Sequence, residues 1–470
     1  MQLDSLLSIE ASSDLWTEHV DGIRLWPLIR TTVLSMRSEK DKGYSPGFAS
    51  GRMVVPPPAY VWEELRALYG LHTGSDPYDA VFFTSAVLRT DSDSGPVDRL
   101  LQPYFSRFKN PLIFQDSYRG SFYRSDAFSN STFLGDALRH MTALKARFVP
   151  LPASTHEKVA AFSRTVAEAF DLADTEGEWS NAMVRLLKMR EPLEQFVRNH
   201  LAPRVPSRLV FMNEACFLGW YGLLTTCFKE NGFTVIEPQH GFVSFEHPAY
   251  NYPNLPRDGR TEIQGYFPDY LLTFGPYWSA HVRVPVDTVA VGYPYLNREA
   301  ERLAACVPDE NVILFVSQGS VTERLAACAA AVSKAFPEVT VVFKLHPGEV
   351  PFTERYAVLS SLANVRVVTS GSVHEWLSKS RTLVGAFSTV LFESVLFPNR
   401  RVFVLTGSED LPACLGASFS SADDLIRLLS DPRSGQSTCR PREYWTADWE
   451  VRFSDWMSKR KIGPKATAGR

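Results

Sequence analysis

Short apolar segments that stop abruptly on polar residues recur along this chain, with helix-length intervals between them. The clearest are Val341 to Lys344, followed by Leu-His-Pro-Gly, and Val384 to Phe387, followed by Ser388 and Thr389. Apolar runs of roughly four to eight residues bounded by turn signals are typical of buried strands. Where such strands alternate with helices, a parallel sheet with crossover helices is expected.

Two such series follow one another, and 470 residues exceed one ordinary core, so two domains are expected. Residues 1–60 and most of the region from 86 to 205 are predicted to be helical. The first series has predicted strands at 79–85, 208–213, 234–237 and 270–274 and a helix at 217–230. The second has predicted strands near 312–317, 339–345, 364–368, 382–386 and 402–405, with helices at 322–335 and 372–379.

The predicted fold class is therefore α/β, with two Rossmann-like domains facing across a cleft and a helical N-terminal region. We place an N-terminal domain with helical insertions at 1–280 and a C-terminal domain at 281–445. A C-terminal helix and basic tail would occupy 446–470.

Charge and cysteine usage exclude several classes of function. A net charge of −3 predicts no general attraction to nucleic acid. The six cysteines form no C-x-x-C pair, so reduced, mostly buried thiols are expected. Without a phosphate-binding G-x-x-x-x-G-K-[ST] sequence, P-loop ATPase chemistry is excluded, and without clustered ligands no tightly bound metal is expected.

The N-terminus lacks a basic segment followed by an apolar core, and no run of about 18 apolar residues occurs. We therefore expect a cytoplasmic protein. In the tail, basic residues from Arg452 to Arg470 surround Trp456 and Met457. Such a mixture is typical of peripheral contact with anionic lipid at the inner face of the cytoplasmic membrane, or equally of a solvated terminus.

Polar residues follow three predicted strands of the second domain. These are Ser317 and Gln318, then Lys344 and His346 beside the turn residue Pro347, and finally Ser388 and Thr389. Open α/β sheets bind ligands at the carboxyl ends of their strands, and backbone N–H groups at a helix start favour a phosphate. Each set alone could merely cap the helix that follows it. Together they predict a phosphate-binding site.

Two further side chains belong to this prediction. Pro347 and Gly348 turn the chain at His346, where an imidazole can donate a hydrogen bond to a phosphate oxygen as a nucleotide leaves. Glu393, four residues beyond Thr389, could accept hydrogen bonds from a ribose, or could be a solvated helix residue.

In the first domain, His240 lies in a glycine-containing loop directly after the predicted strand 234–237. The ordinary pKa of histidine, about 6.5, suits a general base. Glu214 follows the neighbouring strand and is a second candidate for a base or a nucleophile. Its alternative role is that of a helix-start acid.

These motifs resemble those of bacterial GT-B glycosyltransferases that build capsules, O-antigens and lipopolysaccharide from CMP- or CDP-linked donors. In that group, which includes sialyl-, Kdo and teichoic-acid transferases, a His-Pro pair and a Ser-Ser or Ser-Thr pair grip the nucleotide phosphates. His346-Pro347 and Ser388-Thr389 are similar to these pairs, and Gln239-His240-Gly241 is similar to a catalytic loop. The similarity covers mainly residues 205–405, and the acidic motif of several sialyltransferases is missing.

The resemblance implies an enzyme that transfers a sugar, Kdo or a related acid sugar, from a CMP-linked donor to a glycan or lipid-linked glycan acceptor. No other cofactor is implied. His240 and Glu214 would be catalytic, and Ser317, Gln318, Lys344, His346, Pro347, Ser388, Thr389 and Glu393 would bind the nucleotide. The alternatives are a CDP-polyol phosphotransferase, a UDP- or GDP-hexose transferase, and a non-catalytic glycan-binding subunit.

Overall fold

The computed structural model divides the chain into two compact units. Unit 1 comprises Met1–Thr273, Trp278–Val291 and Glu450–Arg470, and unit 2 comprises Phe274–Tyr277 and Gly292–Trp449. The structure describes residues 3–41, 58–73, 76–92, 95–118, 122–123, 128–172, 175–255, 263–407 and 411–460. The chain thus returns to unit 1 after completing unit 2, which the sequence patterns did not indicate.

Unit 1 is built on a parallel sheet of seven strands in the order β11-β10-β9-β8-β3-β6-β7. Its strands, with two antiparallel pairs, are β1 His19–Val20, β2 Ile23–Arg24, β3 Ala80–Ser85, β4 Arg89–Ser92, β5 Gly95–Asp98, β6 Pro111–Asp116, β7 Thr132–Leu134, β8 Leu209–Met212, β9 Thr234–Pro238, β10 Tyr270–Thr273 and β11 Asp287–Ala290. The inner strands are buried along almost their whole length, as a sheet covered on both faces requires.

Helices cover this sheet. They are α1 Leu3–Ser12, α2 Trp26–Asp41, α3 Pro58–Thr73, α4 Gln102–Phe105, α5 Asp136–Ala146, α6 Ala153–Ala169, α7 Glu176–Phe196 and α8 Gly219–Glu230, and helices Pro276–Ala280 and Trp449–Lys459 also contribute. The last of these packs Phe453 edge-on against Tyr104, with ring centroids 5.2 Å apart, and Trp456 against Tyr270 at 5.1 Å. It is therefore part of the core of unit 1.

Unit 2 contains a six-stranded parallel sheet in the order β14-β13-β12-β15-β16-β17. Its strands are β12 Asp309–Val316, β13 Thr340–Lys344, β14 Val365–Val368, β15 Ser380–Gly385, β16 Arg401–Leu405 and β17 Ala417–Phe419. Its helices are Pro294–Arg302, Thr322–Ala335, Ala357–Ser360, Val373–Lys379, Thr389–Glu393, Ala422–Ser430 and Pro441–Tyr444.

The predicted fold class, with two parallel-sheet α/β units and a helical N-terminal region, is confirmed. The prediction that most of residues 86–205 is helical is wrong in part, since β4 to β7 lie there. Strand β6 has the sequence Pro-Leu-Ile-Phe-Gln-Asp, an apolar run that could have revealed it. Strand β17 was also missed, because it has only three residues.

The N-terminal helices are tied to the rest of unit 1 by a buried ion pair. Arg30 of α2 donates to both carboxylate oxygens of Glu10 of α1, at 2.6 and 3.0 Å, and both side chains are fully buried. Trp26 adds an indole N–H bond to the same carboxylate at 2.7 Å. The remaining guanidinium N–H groups donate to the backbone carbonyls of Pro248 and Asn251, each at 2.7 Å.

The expectation of reduced, mostly buried thiols is wrong for two of the six cysteines. Cys414 and Cys439, 25 residues apart in sequence, form a disulfide in unit 2. Cys216, Cys227 and Cys328 are free and buried, and Cys306 is free and exposed. Such a pairing is a long-range contact, which spacing alone does not reveal.

No helix in the described part of the chain is long and apolar enough to cross a membrane. Of the basic tail, the structure describes Arg452, Lys459 and Arg460. Residues 461–470, which include Lys461, Lys465 and Arg470, lie outside the described residues.

Candidate functional site

The carboxyl ends of the parallel strands of unit 1 share one edge of the sheet, and the predicted catalytic residues lie there. Glu214 follows β8 and has a left-handed backbone conformation with φ of +63°. Leu218, four residues later, also has a φ of +63°. Non-glycine residues in this conformation are strained by about 1–3 kcal/mol each, and such strain clusters at functional sites.

His240 lies two residues after β9, between two carboxyl groups. Its Nε2 atom is 3.9 Å from Oε1 of Glu214, and its Nδ1 atom is 3.8 Å from Oε1 of Glu237. The ring of Phe217 covers it at a centroid distance of 5.6 Å. The structure therefore brings the two predicted catalytic residues together and adds Glu237, which the sequence analysis did not single out.

Glu237 is completely buried and is held by two hydrogen bonds. The backbone N–H of Cys216 donates to Oε2 at 2.6 Å, and the hydroxyl of Tyr250 donates to Oε1 at 2.5 Å. The Tyr250 oxygen also lies 3.4 Å from Nδ1 of His240. Because the Tyr250 hydrogen is directed to Glu237, its oxygen can accept from Nδ1–H. This tautomer leaves Nε2 of His240 as the basic atom.

Burial sets the protonation of these groups. It lowers the pKa of His240 to about 3, so the free ring is neutral near pH 7. Burial raises the pKa of Glu237 to about 7. Burial, together with the charge of Asp116, raises the pKa of Glu214. The lowered pKa makes His240 a weaker base than an ordinary histidine, and the raised pKa means that Glu214 holds its proton more readily than an ordinary glutamate, so the pKa shifts alone do not choose between these two residues.

Asp116, at the end of β6, extends the site along the same edge. Tyr221 of α8 donates its hydroxyl to Oδ2 of Asp116 at 3.4 Å, and burial raises the pKa of this carboxyl to about 6. Arg139 of α5 is paired with Asp136, and its charge opposes this rise. Sequence analysis missed Asp116 because it missed β6.

The loop that carries Tyr250 is anchored by the N-terminal helices. Arg30 donates to the carbonyls at both ends of the short turn Pro248–Tyr250, at Pro248 and at Asn251. Asn251 in turn donates its side-chain N–H to the carbonyl of Ser244 at 2.7 Å. Arg30, in the segment from Leu25 to Arg30, therefore holds the loop beside His240 although the two are more than 200 residues apart in sequence.

In unit 2 the predicted nucleotide-binding residues follow adjacent strands. Lys344 is the last residue of β13 and Ser317 follows β12, and the Ser317 N–H donates to the Lys344 carbonyl at 3.0 Å. Ser388 and Thr389 follow β15 on the other side of β12. Gln318 begins the short turn Gly319–Val321 and is half-buried. Burial lowers the pKa of Lys344.

Ser317 supports the His346 loop, because its side chain is buried and its hydroxyl forms two hydrogen bonds. Its hydroxyl donates to Oε2 of Glu349 at 2.5 Å and accepts from the backbone N–H of His346 at 2.7 Å. Tyr356 donates to the other oxygen of Glu349 at 2.6 Å. Glu349 and Tyr356, which sequence analysis missed, thus hold the His346 loop through Ser317.

Both His-Pro pairs of the chain have the same geometry. Nδ1 of His346 accepts from the backbone N–H of Gly348 at 3.1 Å, and Nδ1 of His247 accepts from that of Ala249 at 3.2 Å. In each case proline is the first residue of a helical turn. His346 is exposed, whereas His247 is packed against Phe217 at 5.4 Å.

Ser388 begins the helix Thr389–Glu393 and accepts from the Val390 N–H at 3.3 Å. The helix has only five residues, so its dipole contributes less to phosphate binding than the sequence analysis assumed. Glu393 is not a solvated helix residue. It is buried, and its Oε2 atom lies 2.8 Å from Nε2 of His374, another residue that sequence analysis missed.

Among the described residues, no group of three or more histidine, cysteine and acidic side chains is placed to hold a metal ion.

No protein-family model matches the chain, and no curated protein matches it. Solved structures similar to it include the UDP-GlcNAc 2-epimerase from Neisseria meningitidis bound to UDP-GlcNAc, with 12% identity over 81% of this chain and 99% of that chain and a TM-score of 0.46. The wall teichoic acid polymerase TagF is similar with 14% identity over 86% and 96% and a TM-score of 0.40. Anabaena Alr3699/HepE in complex with UDP is similar with 11% identity over 81% and 100% and a TM-score of 0.40.

Proposed function

We propose that this chain is a glycosyltransferase that moves a sugar, Kdo or a related acid sugar, from a CMP-linked donor to a bacterial surface glycan. One observation carries the proposal. The Nδ1 side of His240, a half-buried neutral histidine, faces the Tyr250 hydroxyl, which is hydrogen-bonded to the buried carboxyl group of Glu237, and this leaves Nε2 as the atom that can accept a proton. A base oriented in this way suits the deprotonation of an alcohol.

The transfer assigns each group a role. The Nε2 atom of His240 takes the proton of an acceptor hydroxyl, and the hydroxyl oxygen forms a bond to the anomeric carbon of the donor. The bond between that carbon and the nucleotide phosphate breaks, and its electron pair leaves with CMP. As His240 becomes an imidazolium, its Nδ1–H donates to Tyr250, which donates to Glu237. The Glu237 carboxylate thus stabilises the positive charge through one hydroxyl group.

The nucleotide side of the proposal rests on unit 2. With Nδ1 of His346 accepting from Gly348, a neutral ring carries its hydrogen on Nε2, which can donate to a phosphate oxygen. Lys344 supplies a positive charge at the end of the same strand, and Ser388 and Thr389 supply hydroxyls after β15. Glu393, held by His374, would accept from the ribose. The preference for a CMP-linked acid sugar comes from the resemblance of the His-Pro and Ser-Thr pairs.

A cytoplasmic site of action and a glycan or lipid-linked glycan acceptor complete the proposal. Asp116 and Tyr221 lie near Glu214, Arg139 lies near Asp116, and these three side chains would offer both acceptors and donors to the hydroxyls of the glycan acceptor.

The test is a thermal-shift screen of the purified chain against CMP, CDP, UDP and GDP, followed by product analysis with CMP-Kdo. A ligand that binds only the folded state raises the midpoint of unfolding. We expect stabilisation by CMP, loss of that shift in the His346→Ala variant, and a glycoside product that requires His240. Stabilisation by UDP or GDP alone contradicts the donor assignment. A phosphodiester product from CDP-glycerol identifies a polyol phosphotransferase instead, and absence of any transfer identifies a binding subunit.

A further inference from the structure

Helix α3 is apolar on the side that faces away from the protein. Its inner side packs into the core of unit 1 through Ala67 and Leu71, with Tyr60 and Leu68 partly buried beside them. On its outer side, Trp62 is 67% exposed, Leu65 is 56% exposed and Tyr69 is 73% exposed, with Val61 next to them at 41%. At 100° per residue these four side chains share one face of the helix.

The charged residues of α3 are turned away from this face. Glu64 accepts from His140 of α5 at 2.8 Å, and Glu63 lies 3.7 Å from Arg66 with only 13% of its side chain exposed. Arg66 donates to the carbonyls of Ser129 and Thr132. An outer face without charge is abnormal for a surface helix, which normally directs its polar residues to solvent.

The end of α5, the helix that contacts α3 through His140, and the two residues that follow it add exposed apolar and basic side chains. Leu144 is 57% exposed and Phe148 is 84% exposed. Lys145 and Arg147, which alternate with them in sequence, are also exposed. We define the outer face of α3, together with this end of α5 and the two residues that follow it, as the α3/α5 patch.

We propose that the α3/α5 patch docks the protein on a membrane surface that contains anionic phospholipids. Tryptophan and tyrosine are enriched where protein meets the boundary between headgroups and acyl chains, and the patch contains both. Lys145 and Arg147 provide attraction to anionic headgroups. The two glutamates of α3 do not oppose this attraction, because Glu63 lies beside Arg66 and Glu64 lies beside His140.

A second copy of the chain fits this patch less well than a lipid surface does. Stable protein interfaces use about 20–30 residues from each partner, whereas the patch offers six apolar side chains and two basic ones. Two copies meeting symmetrically would also bring Lys145 and Arg147 of each against those of the other. Docking on a bilayer requires neither a partner surface of complementary shape nor acidic residues on this chain to pair with Lys145 and Arg147.

The proposal is tested by co-sedimentation with vesicles made of phosphatidylethanolamine and phosphatidylglycerol, at about 0.1 M salt, where the Debye length is about 10 Å. We expect the wild type to sediment with them and to bind pure phosphatidylcholine vesicles more weakly. The variant Trp62→Ser/Tyr69→Ser should lose more than about tenfold in partitioning, since each aromatic side chain leaves the apolar layer. Lys145→Glu/Arg147→Glu should lose the preference for phosphatidylglycerol.

The control is Val307→Ser/Val358→Ser, which replaces two side chains of unit 2 that are 88% and 72% exposed. It should bind as the wild type does, and circular dichroism should show all variants to be folded. Retention of vesicle binding by the Trp62/Tyr69 variant overturns the proposal and assigns binding to another surface, such as the basic tail. A wild type that does not sediment also overturns it, as does a stable dimer in solution that the same variant abolishes. These measurements use no donor, so they stand or fall independently of the transferase proposal.

Discussion

The imidazole Nδ1 atom of His346 accepts a hydrogen bond from the backbone N–H of Gly348 at 3.1 Å. This side chain thereby caps the start of the turn that follows β13. The structural role of this residue, on Nδ1, and its proposed role in phosphate binding, on Nε2, therefore involve different nitrogen atoms.

Asparagine at position 346 should separate these roles. Its side-chain oxygen can accept from Gly348, so His346→Asn should keep the stability of the wild type, whereas His346→Ala should lose about 1 kcal/mol of unfolding free energy. Both variants lack Nε2–H and should bind CMP at least about tenfold more weakly, the effect of losing one hydrogen bond to a charged group. Urea unfolding and calorimetry measure the two quantities. Wild-type affinity in His346→Asn would remove His346 from the phosphate site.

Ser317 should affect nucleotide binding although it is buried. Ser317→Ala leaves the His346 N–H and a Glu349 oxygen each without this partner, which should cost about 1–3 kcal/mol of unfolding free energy. CMP affinity should fall with it, because the His346 loop loses its support. The matched control is Ser361→Ala, an exposed serine that bonds only to a nearby carbonyl and should change neither quantity. Unchanged CMP affinity in Ser317→Ala would contradict the supporting role.

Glu237 should make stability depend on pH. Burial raises its pKa from 4.5 to about 7, so between these values the folded state binds a proton that the unfolded state has released. The unfolding free energy then falls as pH rises through this window, by at most about 3 kcal/mol. Burial lowers the pKa values of His240 and His247, so these two groups make the unfolding free energy rise as pH rises.

The prediction therefore concerns the difference between the wild type and Glu237→Gln. The glutamine keeps an oxygen that accepts from the Cys216 N–H, replaces the oxygen that accepts from Tyr250 with an NH2 group that can donate to the Tyr250 oxygen, and cannot ionise. Relative to the wild type, it should gain stability steadily from about pH 5 to about pH 7 and no further above that, as measured by urea unfolding at each pH. A constant difference would show that the pKa of Glu237 is not raised.

Tyr250→Phe should reduce turnover more than substrate binding. The hydroxyl joins His240 to Glu237, so its removal withdraws the carboxylate from the imidazolium that forms during transfer. We expect kcat to fall by about 10²-fold, within the range typical of general base catalysis, with KM for the donor nearly unchanged. The variant His240→Ala should lose at least as much, and the double variant should lose little more than His240→Ala alone. Additive losses would mean that the two residues act separately.

Arg30 should be essential for stability. Arg30→Ala leaves the Glu10 carboxylate buried without its partner, and breaking a buried ion pair costs about 3–5 kcal/mol. Arg198→Ala is the control, since Arg198 pairs with Glu194 and 55% of its side chain is exposed, and such surface pairs contribute about 0–1 kcal/mol. Urea unfolding compares the two. A small effect of Arg30→Ala would show that the ion pair is not required.

The strands and the residues that follow them could be predicted because both are local features. Lys344 and Ser388 stand where an apolar run stops, and the structure places both at strand ends. Glu237 could not be recognised in the same way, since it lies inside a strand and looks like an outward polar residue. Its environment is created by Cys216 and Tyr250, which are distant in sequence.

The same reason explains the other omissions. Glu349 and His374 acquire their roles through partners 32 and 19 residues away, and short polar sequences do not encode which partner a side chain meets. The disulfide partner of Cys414 likewise depends on how β16 and β17 bring the following chain back. The sequence patterns therefore predicted the polar residues that follow the strands, but not the distant side chains that hold those residues in place.

The division of the chain has a consequence for its synthesis. Residues 292–449 form most of unit 2, and they emerge from the ribosome before helix Trp449–Lys459, whose Phe453 and Trp456 pack into unit 1. Until residues 450–459 have been synthesised, Tyr104 and Tyr270 lack these aromatic partners, so unit 1 cannot complete its core before the whole chain of unit 2 has been made.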